Sequence, residues 1–180
     1  MDSKIQIIDD FIDQSCFKLL QKEIMSPFFD WYMAEKVKEK KWQEFLNTPD
    51  DNFNLQFIHV FISYMNQYDK SKYFPLLHPI LDILRPVAIN RIKVNCLPKT
   101  ETLQLSGFHT DIDMSKVEDS NPKTAIFYIN DNNGYTLFEN GTKVKSKENR
   151  ICIFPYYLKH AGTTCTDRPS RILINFLYVK

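Results

Sequence analysis

The stretch that decides the fold is residues 124–154, TAIFYINDNNGYTLFENGTKVKSKENRICIF. Short apolar runs alternate here with turn-forming residues, among them Asn132-Asn133-Gly134 and Asn140-Gly141. Asn-Gly pairs favour the positive φ angles of tight β-hairpin turns. The stretch therefore predicts hairpin turns that join short strands at 124–130, 135–139, 142–146 and 150–154.

The same texture extends outward from Val87 to the C-terminus, with further strands predicted at 89–97, 103–112 and 171–179. Many short strands without intervening helices predict an antiparallel sandwich or jelly roll. Residues 1–86 differ, because helical spacing after a capping Asp13 and prolines at a helix start predict a mostly helical region with a few short strands. The expected fold class is α+β, mainly β, with a jelly-roll core and supporting N-terminal helices.

Composition indicates one globular domain over residues 1–180. The chain is 43% hydrophobic and 14% aromatic, which excludes a disordered protein. The formal net charge is only +1, so no broad basic field favours non-specific nucleic-acid binding, although a local basic groove stays open. The lysines of 36–41 are interspersed with glutamates, which indicates a solvated helix face within a helix predicted over 34–46.

Nothing in the sequence indicates a membrane or secretory protein. No apolar run reaches the length of a membrane span, and the N-terminal apolar run is short and ends at Asp9-Asp10. The cysteines are irregularly spaced and form no Cys-x-x-Cys pair, which favours free thiols over disulfides or a zinc site; they are Cys16, Cys96, Cys152 and Cys165. We expect a cytoplasmic protein.

Candidate chemistry begins at His109-Thr110-Asp111, inside the strand predicted over 103–112. Residues two apart on a strand point to the same side, so His109 and Asp111 can bind one metal ion. His160 follows an apolar strand, and distant strands of a jelly roll pack together. It can therefore complete a set of two histidines and one carboxylate, which leaves positions open on iron.

Arg171 begins the last apolar strand, which is predicted to be buried on both faces. A buried guanidinium is costly unless it is paired, and no acidic residue is adjacent in sequence. A bound carboxylate would supply the missing charge. Exposure at a strand end, or pairing with a remote acid, is the competing interpretation. Arg168 is the nearby alternative cation.

These residues resemble a known family. The pattern His109-x-Asp111, His160 and Arg171 is similar to that of the iron(II)/2-oxoglutarate-dependent dioxygenases, in their prolyl-4-hydroxylase-like branch. The chain is most similar to small stand-alone members found in bacteriophage genomes. The resemblance is strong over 87–180 and has no sharp motif in 1–86. It implies a double-stranded β-helix core in the first of these regions and helical support from the second.

The resemblance also implies residue roles. His109, Asp111 and His160 match the catalytic iron ligands. Arg171 and Tyr128 match residues that contact the distal carboxylate of 2-oxoglutarate.

Two positions on the strand predicted over 89–97 match less closely. Asn95 corresponds to an inner-face polar residue that contacts the cosubstrate, and Leu97 departs from members that have a tyrosine there. The implied cofactors are Fe(II), 2-oxoglutarate and O2, with ascorbate as an optional reductant.

The implied activity is hydroxylation of a C–H bond with release of succinate and CO2. Peptidyl proline in a peptide or protein substrate is favoured by the resemblance, while nucleobases, nucleic acid and small molecules such as free amino acids stay open. A non-catalytic jelly-roll binding module is the alternative of a different class. A cupin-type enzyme is disfavoured, since cupins usually offer His-x-His. The connection over 112–123 is either a lid beside the metal or a plain surface loop, and no pattern indicates an oligomeric state.

Overall fold

The computed structural model describes residues 4–34, 55–63, 70–112 and 122–180. The helix predicted over 34–46 and most of the connection predicted over 112–123 lie outside them. Two helices, α1 and α2, and ten strands follow one another in the order β1 Gln6–Ile8, α1 Gln14–Ile24, β2 Tyr32–Ala34, β3 Gln56–Ser63, α2 His78–Leu84, β4 Ala88–Pro98, β5 Lys123–Tyr128, β6 Tyr135–Phe138, β7 Lys143–Lys145, β8 Arg150–Pro155, β9 His160–Gly162 and β10 Ser170–Val179. A one-turn 3₁₀ helix, Phe74–Leu77, precedes α2.

The strands form two antiparallel sheets. The large sheet has seven strands in the order β1-β8-β5-β10-β4-β3-β2, and the small sheet has three in the order β7-β6-β9. The prediction of a mainly β protein built on antiparallel strands is confirmed. The strands predicted from 124–154 correspond to β5, β6, β7 and β8 within two residues at each end.

The large sheet is covered on both faces, and β5 shows why. Side chains alternate along a strand, so Ala125 and Phe127 pack with the helices while Ile126 and Tyr128 face the small sheet. β10 lies between β5 and β4 at the centre of the large sheet. Its interior residues are buried on both faces, as the sequence predicts.

Helix α1 begins where the sequence predicts. The Asp13 side chain accepts hydrogen bonds from the backbone N–H groups of Ser15 and Cys16, which is the N-cap arrangement. The mostly helical character predicted for residues 1–86 is not confirmed. In this region β1 and β3 add to the large sheet by pairing with β8 and β4.

Two predicted features are wrong in detail. The described part of 103–112 forms isolated bridges, Leu105 with Thr163 and His109 with His160, in place of a continuous strand. Three residues, 106–108, lie between the bridges on one side and two, 161–162, on the other, so the register shifts and the ladder breaks. Residues 132–134 are not a hairpin turn, because they connect β5 of the large sheet to β6 of the small one.

The hairpin turn predicted at Asn140-Gly141 is present between β6 and β7, with a φ of 86° at Gly141. The cysteines are all free thiols, as predicted. Each helix in the described ranges is too short or too polar to cross a membrane.

Candidate functional site

His109, Asp111 and His160 lie together where the broken strand meets β9. The potential ligand atoms of the three side chains lie within 4.8 Å of one another. Backbone hydrogen bonds fix two of the three, since the His109 and His160 N–H groups donate to each other's carbonyl oxygens at 3.0 Å. The structure therefore brings together the three residues that the sequence singles out.

Both imidazoles are oriented by backbone carbonyls. Nδ1 of His109 lies 3.1 Å from the Gly107 carbonyl oxygen, and Nδ1 of His160 lies 3.2 Å from that of Leu158. A carbonyl oxygen can only accept, so Nδ1 bears a proton in each ring and Nε2 is the nitrogen left for a metal ion. Histidines that bind a metal through one ring nitrogen usually donate the N–H of the other nitrogen to such a carbonyl oxygen.

Asp111 is buried and held as a carboxylate. Asn175 donates to Oδ2 at 3.0 Å, Arg91 approaches Oδ1 at 3.4 Å, and Nε2 of His160 lies 3.6 Å from Oδ2. Burial raises the pKa of Asp111, but the nearby imidazoles of His160 and His109, the Asn175 hydrogen bond and Arg91 outweigh it and lower the pKa to about 2. Two neutral imidazoles and one carboxylate are a ligand set that suits Fe(II).

Arg171 is only 1% exposed, which excludes the competing interpretation of an exposed strand end. Its guanidinium donates to Ser146 Oγ at 2.8 Å, to the Thr163 carbonyl at 3.1 Å and to Thr136 Oγ1 at 3.1 Å. No acidic side chain pairs with it among the described residues. Burial lowers the pKa of Arg171. Arg168, the alternative cation, is exposed.

Three of the five guanidinium N–H donors of Arg171 are thus engaged, and two are left for a ligand. This fits a bidentate carboxylate without the need to displace any bond that the protein itself makes. The residues present therefore suit the far carboxylate of 2-oxoglutarate as well as they suit the metal.

Tyr128 lies behind this site and does not line the pocket. Its hydroxyl donates to Thr136 Oγ1 at 2.9 Å, and burial raises the pKa of Tyr128 to about 12. Thr136 Oγ1 accepts from both Tyr128 and Arg171, so its own O–H is available to donate into the pocket that it lines. Thr136 is the hydroxyl that sequence analysis missed, and Tyr128 acts on the pocket through it.

One pocket joins the metal-ligand set to Arg171. It encloses about 850 Å³ including its open mouth. Asn95 and Leu97 of β4 line it beside Leu173 of β10. Its remaining described lining comes from both sheets and the segment between β4 and β5 and includes Leu55, Gln56, Lys93, Gln104, Leu105, Ser106, Ile126, Gly162, Thr164 and Asn175.

Sequence analysis also missed Lys93, Asn175 and the Arg91 contact to Asp111. The sequence carries a signal for two of them. Arg91, Lys93 and Asn95 occupy every second position and share one face of β4, whose other face is apolar. Charged residues at such positions need a partner or a ligand. No comparable signal marks Asn175, which is an isolated polar residue in an apolar run.

Comparison with solved structures identifies the architecture. A prolyl hydroxylase from Trichoplax adhaerens, solved with a hypoxia inducible factor peptide fragment, is 14% identical with a TM-score of 0.67, over 99% of this chain and 84% of that one. The chain has the fold of the 2-oxoglutarate oxygenases. A viral collagen prolyl hydroxylase from Paramecium Bursaria Chlorella virus-1, solved with 2-oxoglutarate, is 18% identical with a TM-score of 0.51, over 99% and 98% of the two chains.

The oxygenase fold also includes other reactions. The non-heme alpha ketoglutarate dependent epimerase SnoN of nogalamycin biosynthesis is 9% identical with a TM-score of 0.60, over 98% of this chain and 76% of that one. No protein-family model matches the sequence, and no curated protein matches it. At these identities the similarity shows the fold, and the chemistry has to be argued from the site itself.

Proposed function

We propose that this chain is an Fe(II)- and 2-oxoglutarate-dependent dioxygenase that hydroxylates a C–H bond. One observation supports it most strongly. A single pocket has the two-histidine, one-carboxylate set of His109, Asp111 and His160 at one end, and the buried Arg171 without an acidic partner among the described residues at the other. A metal-binding 2-oxoacid with a second carboxylate matches both ends.

Each end has a separate task. His109, Asp111 and His160 hold the metal, and Asn175 orients the carboxylate by its hydrogen bond. Arg171 and Thr136 bind the far carboxylate of the cosubstrate. The apolar neighbours Leu97 and Leu173 line the pocket between them and limit access of water. When bound, Fe(II) with 2-oxoglutarate supplies the activation of O2 that oxidises the C–H bond, with succinate and CO2 as coproducts.

Peptidyl proline is the substrate we favour. Two structural neighbours are prolyl hydroxylases, and one of them is solved with a peptide. The likeness to an epimerase supports a small-molecule substrate as the second candidate. Because one fold is used with many substrates, the choice between them has to come from experiment.

The cofactor assignment is tested by anaerobic titration of the apo-protein with Fe(II) and then 2-oxoglutarate. We expect a visible metal-to-ligand charge-transfer band that saturates with 2-oxoglutarate. Iron binding without the band would contradict the cosubstrate, and failure to bind either one would favour a binding module without catalysis.

The substrate is tested by succinate release. We expect proline-containing peptides to raise succinate output above the background of the enzyme alone. If free amino acids, nucleosides or oligonucleotides raise it and proline peptides do not, the prolyl assignment is wrong, while the oxygenase assignment stands.

A further inference from the structure

One side of the pocket is lined by three polar residues on neighbouring strands. They are Lys93 and Asn95 of β4 and Asn175 of β10, and we call them the polar wall. Lys93 and Asn175 are direct cross-strand partners in the register of β4 with β10. Since Asn175 donates to Asp111, the wall lies beside the metal-ligand set.

Lys93 is the charged member of the wall. It is partly buried, and no hydrogen bond or ion pair joins its ammonium to any residue within the described ranges. Burial and the neighbouring Arg91 lower the pKa of Lys93 to about 8, and Asp111 only partly offsets them. A cation held in a pocket beside another cation is unfavourable unless an anion joins it.

The uncharged members are only partly satisfied by the described residues. The Asn175 Oδ1 atom is buried with no hydrogen bond. Asn95 is only 8% exposed, lines the pocket and makes no side-chain hydrogen bond with a described residue. A buried acceptor without a partner costs free energy, so Asn175 Oδ1 matches a ligand N–H or O–H group and Lys93 matches an anionic group.

A distal carboxylate of 2-oxoglutarate held at Arg171 lies away from Lys93, and Asn95, opposite Leu173, lies between them. Arg171 precedes Asn175 by four residues on β10, which separates them by roughly 13 Å along the strand. Lys93 is therefore level with the metal-ligand set and remote from Arg171.

Charge balance also leaves room for another anion. Fe(II) would bring two positive charges, to which Arg91, Lys93 and Arg171 each add one. Asp111 offers one negative charge and 2-oxoglutarate two. Counting the described residues alone, these charges leave an excess of positive charge at the end of the pocket that holds Lys93.

We propose that the polar wall binds a carboxylate group of the primary substrate, with Lys93 as its cation and the Asn95 amide N–H groups as hydrogen-bond donors, while Asn175 Oδ1 accepts a hydrogen bond from an N–H or O–H group of the same substrate. This inference rests on the oxygenase function proposed above and narrows its substrate to an anionic one. A single lysine among neutral amides matches the single charge of a carboxylate better than the higher charge of a phosphate.

The test uses the full chain loaded with Zn(II), which replaces Fe(II) so that no turnover occurs, and with 2-oxoglutarate. The probes are N-acetylglycine and its neutral counterpart N-acetylglycinamide, followed by ligand-observed NMR. We expect the carboxylate probe to bind about tenfold more tightly than the amide, as one partly buried ion pair would give. Lys93→Met should abolish this preference, and Lys93→Arg should keep it.

Two controls accompany this experiment, a variant of an exposed lysine and the affinity for 2-oxoglutarate. Lys99→Met, at an exposed site directly after β4, should bind the two probes as the wild type does. Affinity for 2-oxoglutarate should stay within about twofold in Lys93→Met, which also reports that this variant folds. A loss of tenfold or more would assign Lys93 to the cosubstrate and overturn the proposal, as would equal binding of the two probes to the wild type.

A third probe, inorganic phosphate, separates the two kinds of anion. Binding of phosphate without binding of N-acetylglycine would contradict the carboxylate assignment. Failure of Zn(II) or 2-oxoglutarate to bind would refute the oxygenase function itself. Loss of the carboxylate preference with both of them bound would refute only the role of the wall.

Discussion

The two ends of the pocket differ in how far the protein satisfies its own polar groups. At one end, Arg171 makes three hydrogen bonds to Ser146, Thr163 and Thr136 and keeps its geometry without a ligand. At the other, Lys93 makes none with the described residues. If the chain acts as proposed, the Arg171 end is pre-organised for the cosubstrate, whereas the Lys93 end gains its polar partners only when a substrate binds.

This difference has an energetic basis. A buried guanidinium is tolerable when most of its donors are engaged, so the Arg171 end costs little while it is empty. Among the described residues, the polar wall leaves the Lys93 ammonium and the Asn175 Oδ1 atom without partners, and under the proposal a bound substrate would supply them. The contrast predicts that substitutions at the two ends change the affinity for different ligands.

The largest effect is expected at the metal-ligand set, which lies at the same end of the pocket as Lys93. Replacing His160 with alanine should weaken Fe(II) binding by more than about a hundredfold, because loss of a ligand exceeds the effect of losing a supporting contact. Isothermal titration under anaerobic conditions measures this. His59→Ala is the control, since His59 lies outside the pocket and is hydrogen-bonded to the Asp30 backbone and to Ser71. An unchanged iron affinity in His160→Ala would contradict the proposed ligand set.

Arg171→Met should separate cosubstrate from metal. We expect affinity for 2-oxoglutarate to fall about a hundredfold, because a buried charge partner is lost, while Fe(II) affinity stays near that of the wild type. The charge-transfer band measures the first quantity and calorimetry the second. Arg168→Met removes an exposed arginine nearby and should change neither. Equal losses of metal and cosubstrate in Arg171→Met would indicate misfolding or another anchor.

Asn175→Leu tests the contact that joins the wall to the metal. Since Asn175 donates to Asp111, its loss should weaken Fe(II) binding about tenfold or more. The measurement is competition with a chelator of known affinity. Unchanged iron affinity would show that Arg91 alone keeps the Asp111 carboxylate in place.

Thr136 and Tyr128 can be separated by their hydroxyl groups. Thr136→Val should weaken 2-oxoglutarate binding by roughly tenfold, because it removes both the ligand's donor and a partner of Arg171. Tyr128→Phe should have a smaller effect, because its hydroxyl contacts Thr136 and not the pocket. Titration of the charge-transfer band compares the two, and a larger effect from Tyr128→Phe would restore Tyr128 as the direct contact.

The last comparison concerns the stability of the fold at two glycines, Gly134 behind Arg171 and Gly141 in the turn between β6 and β7. A Cβ added at Gly134 would lie 2.6 Å from both Arg171 Cδ and the Thr164 carbonyl oxygen, so Gly134→Ala should destabilise the fold by about 1–3 kcal/mol. Urea denaturation measures it. Gly141→Ala has open space but a φ of +86°, so it should cost about 1 kcal/mol by strain alone and leave 2-oxoglutarate affinity unchanged. Equal stabilities of the two variants would contradict the steric argument.

Local pattern was enough to predict much of the fold. Alternation and turn residues identify β5 to β8, and the two-face burial of β10 is visible in its continuous apolar run. Residues 132–134 have the residue types of a hairpin turn, but such residues do not indicate which sheet the next strand joins. The broken strand at 103–112 was missed since its register depends on β9, about fifty residues away.

The site divides in the same way. The grouping of His109, Asp111 and His160 and the burial of Arg171 could be predicted from residue types, spacing and the resemblance to a family. The polar wall could not, since Lys93 and Asn175 become neighbours only through the pairing of β4 with β10. Cross-strand partners separated by some eighty residues leave no mark in a single sequence.

The position of β10 has a consequence for which 2-oxoacid the pocket accepts. Arg171 and Asn175 lie on this one central strand, so the span from the anchoring guanidinium to the metal-ligand set is fixed by the rise of four strand residues. Strands on both sides pair with β10 and keep it from sliding. If Arg171 and the metal-ligand set hold the two ends of 2-oxoglutarate as proposed, the backbone sets the chain length of the cosubstrate, and a 2-oxo diacid one methylene shorter or longer should bind more weakly.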